Sequence, residues 1–421
     1  MAYRTFYELE RALAPPPAPE WRPPKSGSHP YRIAELDFYN PSAEALQANL
    51  RVVERFDERP NRIRTATWFV PWFHHVYFGG IHTIFRFIQW MRATRTVEPR
   101  IVLYDVDIAD SGVRFAIAQA FPDLVDIDIV VPPNGKTNFV DYSELPPTDV
   151  AVCTIWYSAY ALLPFNQTKA KFYFVQDYEP AFYPGGSLWA QAEATYRFGY
   201  AGLVSTPGLA ESYQVYRNPT CSFIPAVEPC RSRRPPSPPR PVRIVLYGRP
   251  STDRNGFELL AAASRRVKQR YGDTVRIISV GEDFDPADYE LDEVLEGASL
   301  LRDLDSLRDL YLRSDIGVCC MFSKHPSYQP LEYMASGVAV VTNKNPATTW
   351  LLRHEENCLL SDPFSTALAE AIGRLVEDAE LRDQLTAAGE KTVTGRNWDG
   401  EFAKLWEFMT NTTVLGGHAS K

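Results

Sequence analysis

Between Pro229 and Pro241 the chain reads Pro-Cys-Arg-Ser-Arg-Arg-Pro-Pro-Ser-Pro-Pro-Arg-Pro, six prolines in thirteen residues. Proline lacks a backbone N–H and fixes φ, so such a run fits neither a helix interior nor a central strand. Strand-like sequence flanks it on both sides, at 222–227 and 242–247. A core must therefore form twice, once on each side of the run. The four arginines in the segment read as a solvated linker rather than a phosphate patch. At 421 residues, and with about 150 residues per domain, two to three domains are expected.

The two sides share a rhythm. Apolar runs at 65–73, 100–106, 125–131, 149–156, 171–175 and 202–205 read as strands in the first, and those at 243–247, 276–280, 316–321, 338–342 and 358–360 in the second. Ile81, Ile84, Phe85 and Ile88 have helical i, i+3, i+4, i+7 spacing. Further helices are expected at 256–269, 303–312, 330–335 and 365–378. Strands alternating with helices give parallel sheets covered on both faces, an α/β class of two doubly wound, Rossmann-like domains facing across a cleft. Ligands of such sheets bind at the carboxyl ends of the strands. A second proline cluster, Pro15 to Pro30, reads as a stiff extension over 1–60, with a short helix near 41–53 capped by Ser42. The expected order is the extension 1–60, a first Rossmann-like domain 61–228, the linker 229–241, a second Rossmann-like domain 242–396, and a helix with a flexible tail over 397–421.

Charge narrows the partners. Lysine and arginine number 44 against 52 acidic residues, a net charge of −8, which argues against nucleic acid. No apolar stretch approaches the roughly 20 residues needed to cross a bilayer. The amino terminus lacks the basic start and apolar core of a secretory signal, so a cytoplasmic protein is expected. The six cysteines show no metal-type spacing and read as reduced, mostly buried thiols.

Two motifs carry chemistry. Gly248-Arg249-Pro250 through Arg254-Asn255-Gly256 lies between a strand and a helix, where two planar guanidinium forks can grip a phosphate. The alternative is a surface loop with solvated arginines. In Pro330-Leu331-Glu332-Tyr333-Met334-Ala335-Ser336-Gly337, Pro330 suits the first helical position and puts Glu332 third. There Glu332 either complements the helix dipole or accepts hydrogen bonds from sugar hydroxyls.

These residues carry a resemblance. GRP-x-x-x-R-N-G followed by PLEYMASGVAVV resembles the C-terminal domain of retaining glycosyltransferase family 4, which has the GT-B fold. Within that family, the segment 174–184, FVQDYEPAFYP, and the proline-rich start are most similar to rhamnosyltransferases of S-layer glycan assembly. The resemblance implies that Arg249 and Arg254 neutralise a leaving diphosphate. It also implies that Glu332 holds ribose hydroxyls, that the Ser327–Tyr328 loop offers amides to the distal phosphate, and that Gly79 and Gly80 form a loop approaching diphosphate and acceptor, with Gly248 in the donor loop. Lys324 stands eight residues before Glu332, where the family has a glutamate. Lys324 either supports the phosphates or points to solvent.

The implied reaction is transfer of rhamnose from dTDP-rhamnose to a bacterial surface glycan or lipid-linked glycan, without cofactor or metal and with at most peripheral membrane contact. A nucleotide-sugar epimerase or hydrolase of the same fold, and a non-catalytic nucleotide-sugar-binding partner, are the alternatives. The oligomeric state stays open, a homodimer included. Asp177 and Glu179, after an apolar strand, are candidates to position or deprotonate an acceptor hydroxyl, or else a turn-forming Asp and a solvated Glu. His82, with His74 and His75, borders the glycine loop and is an acceptor candidate. Tyr178 is a candidate sugar-stacking residue, as are Tyr157 and Tyr160. The run Trp68, Phe69, Trp72, Phe73 reads as core. Asp105 and Asp107 spell D-x-D in what reads as an ordinary loop.

Overall fold

A computed structural model describes residues 39–73, 76–77, 79–104, 110–131, 145–227, 241–301 and 304–411. Residues from Pro41 onward belong to one compact unit; of the unit before it, only Tyr39 and Asn40 are described. Most of the expected extension and linker, the D-x-D residues, His74, His75 and the tail beyond 411 lie outside the described residues.

Seven strands make the first sheet: β1 (Thr65–Val70), β2 (Glu98–Leu103), β3 (Asp128–Val130), β4 (Thr148–Cys153), β5 (Thr168–Val175), β6 (Ala201–Ser205) and β7 (Thr220–Phe223). Their order is β3-β2-β1-β4-β5-β6-β7, every pair parallel. The second sheet contains β8 (Val242–Tyr247), β9 (Val275–Val280), β10 (Ala298–Ser299), β11 (Ile316–Val318), β12 (Ala339–Asn343) and β13 (Leu359–Ser361). It runs β10-β9-β8-β11-β12-β13, again all parallel. Each order reverses direction beside its first strand, between β1 and β4 and between β8 and β11. Those are the points where a doubly wound sheet opens a crevice.

Burial explains why these runs are strands. Trp68, Phe69 and Val70 of β1 and Val150 to Cys153 of β4 are fully buried, as expected where helices cover both faces. Of the aromatic run, Trp68, Phe69 and Phe73 are buried core, as their sequence suggested, and Trp72 is half-buried against it. Trp68 meets Phe87 edge-on at 5.9 Å. Several boundaries differ from expectation. β1 stops at Val70 because Pro71 offers no donor to continue the ladder. β11 ends at Val318, three residues early. The short β10 and the helix Ala379–Val393 were not anticipated. The latter starts afresh because Asp378 caps it, accepting a 2.9 Å bond from the Leu381 amide.

Two helices tie chain ends to the first sheet. Helix Ala43–Val53 is capped by Ser42 as anticipated, with the Ala45 amide donating to Oγ at 3.1 Å. It docks through Asn49, whose Oδ1 accepts from the buried Lys171 Nζ of β5 at 2.9 Å. Helix Trp398–Met409 returns from the second sheet and buries Phe402, Leu405 and Met409 in the core of the first. Phe402 stacks on Phe87 at 4.8 Å.

Candidate active site

A cavity of about 500 Å³ opens where the carboxyl ends of the two sheets face each other. Pro71 after β1, Thr154 and Ile155 after β4, and Gln176 and Asp177 after β5 line one wall. Tyr247 at the end of β8, Arg249 just after it, Gly281 after β9 and Met321 after β11 line the other.

The arginine loop sits on the second wall. Its 3-10 turn Asp253–Asn255 ends at Gly256, whose φ of +58° belongs to the left-handed region that favours glycine. A β-carbon there would also lie 2.6 Å from the Phe322 ring. The Phe322 amide donates to the Arg254 carbonyl at 2.8 Å, fastening this loop to the one after β11. Arg249 and Arg254 both line the cavity. Arg249 Nε is buried without a hydrogen-bond partner among the described residues, and its positive charge lies close enough to the Tyr247 hydroxyl to oppose the rise that burial imposes on it. Arg254 Nε donates to Asp177 Oδ2 at 2.9 Å, and its guanidinium lies over the Phe182 ring at 4.2 Å. The arginines are therefore not a solvated surface loop.

Glu332 also lines the cavity. Its helix begins one residue earlier than expected, Gln329–Ala335, so Glu332 is the fourth helical residue rather than the third. Burial holds its carboxyl up at about 7, against the opposing pull of the Tyr311 hydroxyl, which donates at 3.4 Å, and of Arg308.

The segment after β5 departs from its sequence reading. Asp177 Oδ1 accepts from the Ser323 hydroxyl and, at 2.8 Å, from the Tyr178 amide, while Oδ2 takes Arg254. Its carboxylate is an inter-sheet bracket rather than a free base. Glu179 is not solvated: it is 2% exposed, accepts from the Tyr173 hydroxyl at 2.6 Å, and is pushed up to about 8 by burial. Burial thus favours its protonated form and works against a role as an ionised base. Tyr178 does not line the cavity; its ring packs 6.0 Å from Tyr196 in a cluster of tyrosines behind it.

The glycine pair is placed differently too. Gly79 and Gly80 are the first residues of helix Gly79–Arg95, not a loop before it. Both line the cavity, but the close approach at 79 is made by protein: a β-carbon would fall 2.9 Å from the Tyr328 ring. The Tyr328 hydroxyl pairs with Thr83 Oγ1 at 2.7 Å. The Ser327 amide is occupied as well, donating to His325 Nδ1 at 2.9 Å, which leaves that amide no bond for a phosphate. His325 Nε2 then donates to Ser205 Oγ at 3.1 Å, and burial lowers this imidazole to about 4. His82 lines the cavity with both ring nitrogens engaged, Nδ1 with the Val76 carbonyl at 3.1 Å and Nε2 with Arg86 at 3.0 Å. Gly248 and Lys324 do not line the cavity. A side chain at 248 would meet Ser279 Oγ at 2.2 Å, a packing reason for glycine. Lys324 is exposed, its solvent-facing alternative.

Sequence reasoning missed several lining residues: Arg86, Gln176, Phe182, Arg308, Tyr311 and Trp398. Arg86 follows His82 by four residues on one helix, so their spacing carried a usable signal. Trp398 enters only because its helix folds back onto the first sheet. Among the described residues no cluster of three His, Cys, Asp or Glu is arranged to hold a metal ion.

Two facing parallel sheets with an arginine-lined crevice at their carboxyl ends define the GT-B fold. The chain belongs to the WsaF family: residues 70–204 match the WsaF N-terminal domain and residues 242–373 the WsaF C-terminal domain. It is 38% identical over 376 residues to the O-antigen biosynthesis protein RfbC of Myxococcus xanthus, a match covering 88% of this chain and 28% of that protein. The chain thus spans little more than a quarter of that relative's length. Among solved structures it resembles Anabaena Alr3699/HepE in complex with UDP and glucose, with TM-score 0.59, 15% identity, and coverage of 82% of this chain and 98% of that one. WaaG, a glycosyltransferase involved in lipopolysaccharide biosynthesis, gives TM-score 0.56 at 14% identity, covering 82% and 99%. At these identities the structures establish shared fold alone.

Proposed function

We propose that the chain is a retaining, metal-independent glycosyltransferase. It moves rhamnose from dTDP-rhamnose onto a bacterial surface glycan or lipid-linked glycan. The observation that carries the donor class is the placement of Arg249 and Arg254 on one wall of the cavity in a chain of net charge −8. Breaking a sugar–phosphate bond builds negative charge on the departing diphosphate, and fixed cations in a water-poor cleft stabilise it. Glu332, on the same wall, accepts hydrogen bonds from the sugar ring of the nucleotide. HepE in complex with UDP and with UDP-glucose supports a nucleotide donor at this crevice. Similarity to the O-antigen biosynthesis protein supports the surface-glycan acceptor. The resemblance of segment 174–184 to S-layer rhamnosyltransferases supports rhamnose. No described helix is long and apolar enough to cross a membrane; assembly at the cytoplasmic face is part of this proposal.

The test is incubation with UDP-, dTDP- and GDP-sugars in EDTA, with and without glycan acceptor. Acceptor-dependent release of nucleotide diphosphate supports transfer. Release without acceptor makes the protein a hydrolase, and binding without release makes it a non-catalytic partner.

A further inference from the structure

We propose that Asp177 is a positioning residue. It anchors one edge of Arg254 so that the rest of the guanidinium faces the leaving diphosphate, and it can do so only when the two sheets have closed on each other. This rests on the donor reading above. Asp177 follows β5 on the first sheet; Arg254 and Ser323 follow β8 and β11 on the second. The carboxylate takes Arg254 Nε at 2.9 Å on one oxygen and the Ser323 hydroxyl on the other. Both partners are largely shielded, with 13% of the Asp177 side chain and 23% of the Arg254 side chain exposed. Phe182, also from the first sheet's wall, lies under the same guanidinium. Two residues of the first sheet's wall thus orient a cation that belongs to the second sheet's wall.

The electrostatics separate orientation from affinity. A carboxylate beside Arg254 offsets part of its charge, so it weakens ground-state attraction for a diphosphate while fixing the fork's direction. Catalysis depends on the second effect, because a stabilising group counts only where charge develops. Asp177→Asn removes the charge at nearly constant volume and turns an amide toward Arg254 in one of its two orientations.

The experiment uses the full chain and the nucleotide sugar that the wild type turns over in the panel above. Turnover and calorimetric affinity for the matching nucleotide diphosphate are measured for Asp177→Asn, Arg254→Ala and the double variant. The expected result is a turnover loss of at least tenfold in Asp177→Asn, with affinity equal to or tighter than wild type. Adding Asp177→Asn to Arg254→Ala should then change turnover less than twofold. Affinity and turnover falling together in Asp177→Asn, unchanged turnover, or additive losses in the double variant would overturn the positioning role alone. An Arg254→Ala variant with wild-type turnover and affinity would instead remove Arg254 from the donor site.

Discussion

Gly208, the second residue of helix Pro207–Gln214, lies against the main chain of Ala347 on the other sheet's side of the cleft, so that a β-carbon at 208 would fall 2.1 Å from the Ala347 carbonyl oxygen. No rotamer relieves a clash between backbone and Cβ. Gly208→Ala is expected to cost about 1–3 kcal/mol, the usual range for overpacking. It should also lower turnover by prying the two walls of the cavity apart. Denaturant midpoint and nucleotide release both report it. Gly185→Ala, with nothing within 4 Å of the new atom, is the control and should match wild type.

Arg249→Ala should reduce turnover at least tenfold, about 1.4 kcal/mol of transition-state stabilisation. Its buried Nε, without a hydrogen-bond partner among the described residues, is a donor that an anion in the cavity could satisfy. Steady-state release of nucleotide diphosphate measures it, and wild-type kinetics would remove the assignment.

Glu332→Ala should weaken nucleotide-diphosphate binding about tenfold, in line with the loss of a hydrogen bond to a charged group, and leave the circular dichroism spectrum unchanged. The sugar ring decides the size of the effect. UDP offers two ring hydroxyls and dTDP one, so the loss should be larger for UDP. Because the Glu332 carboxyl titrates at about 7, wild-type affinity should improve as pH rises from 6 to 8. Glu332→Gln should flatten that rise. Calorimetry across this range, run in parallel on both proteins, gives the comparison.

Glu179 sets a second pH dependence, on stability. Its carboxyl is held up at about 8 in the fold, chiefly by burial, and returns near 4.5 when unfolded. The folded state keeps a proton that the unfolded state releases. The stabilisation is therefore complete below about pH 4.5 and is lost as pH rises through about 8. Glu179→Gln should show a shallower fall in thermal midpoint between pH 5 and 8. Equal slopes for the two proteins would mean that Glu179 is ionised in the fold.

Much of the architecture was legible because periodicity and burial act locally. The fully buried β1 and β4 announced themselves as apolar runs, and Ser42 identified its own helix. The placement of Arg249, Arg254 and Glu332 was legible too, since they sit in contiguous motifs and do share one cavity. What escaped the sequence was the pairing of side chains distant along the chain. Asp177 looked like a base because nothing local shows that Arg254 and Ser323 would occupy its oxygens. Glu179 read as either an acceptor contact or a solvated turn residue because nothing local shows that the Tyr173 and Tyr196 hydroxyls would take its carboxylate and amide. Gly79 looked like a ligand contact, whereas the atom approaching it belongs to Tyr328, 249 positions away.

The helix Trp398–Met409 has a practical consequence for dissecting the molecule. Cleavage at the proline-rich stretch would release an amino-terminal piece whose hydrophobic face has lost Phe402, Leu405 and Met409 as its cover, and a carboxyl-terminal piece trailing a greasy, homeless segment. Expression of the first sheet alone calls for grafting that helix back, so the unit to engineer joins the strands of residues 65–223 to the helix Trp398–Met409.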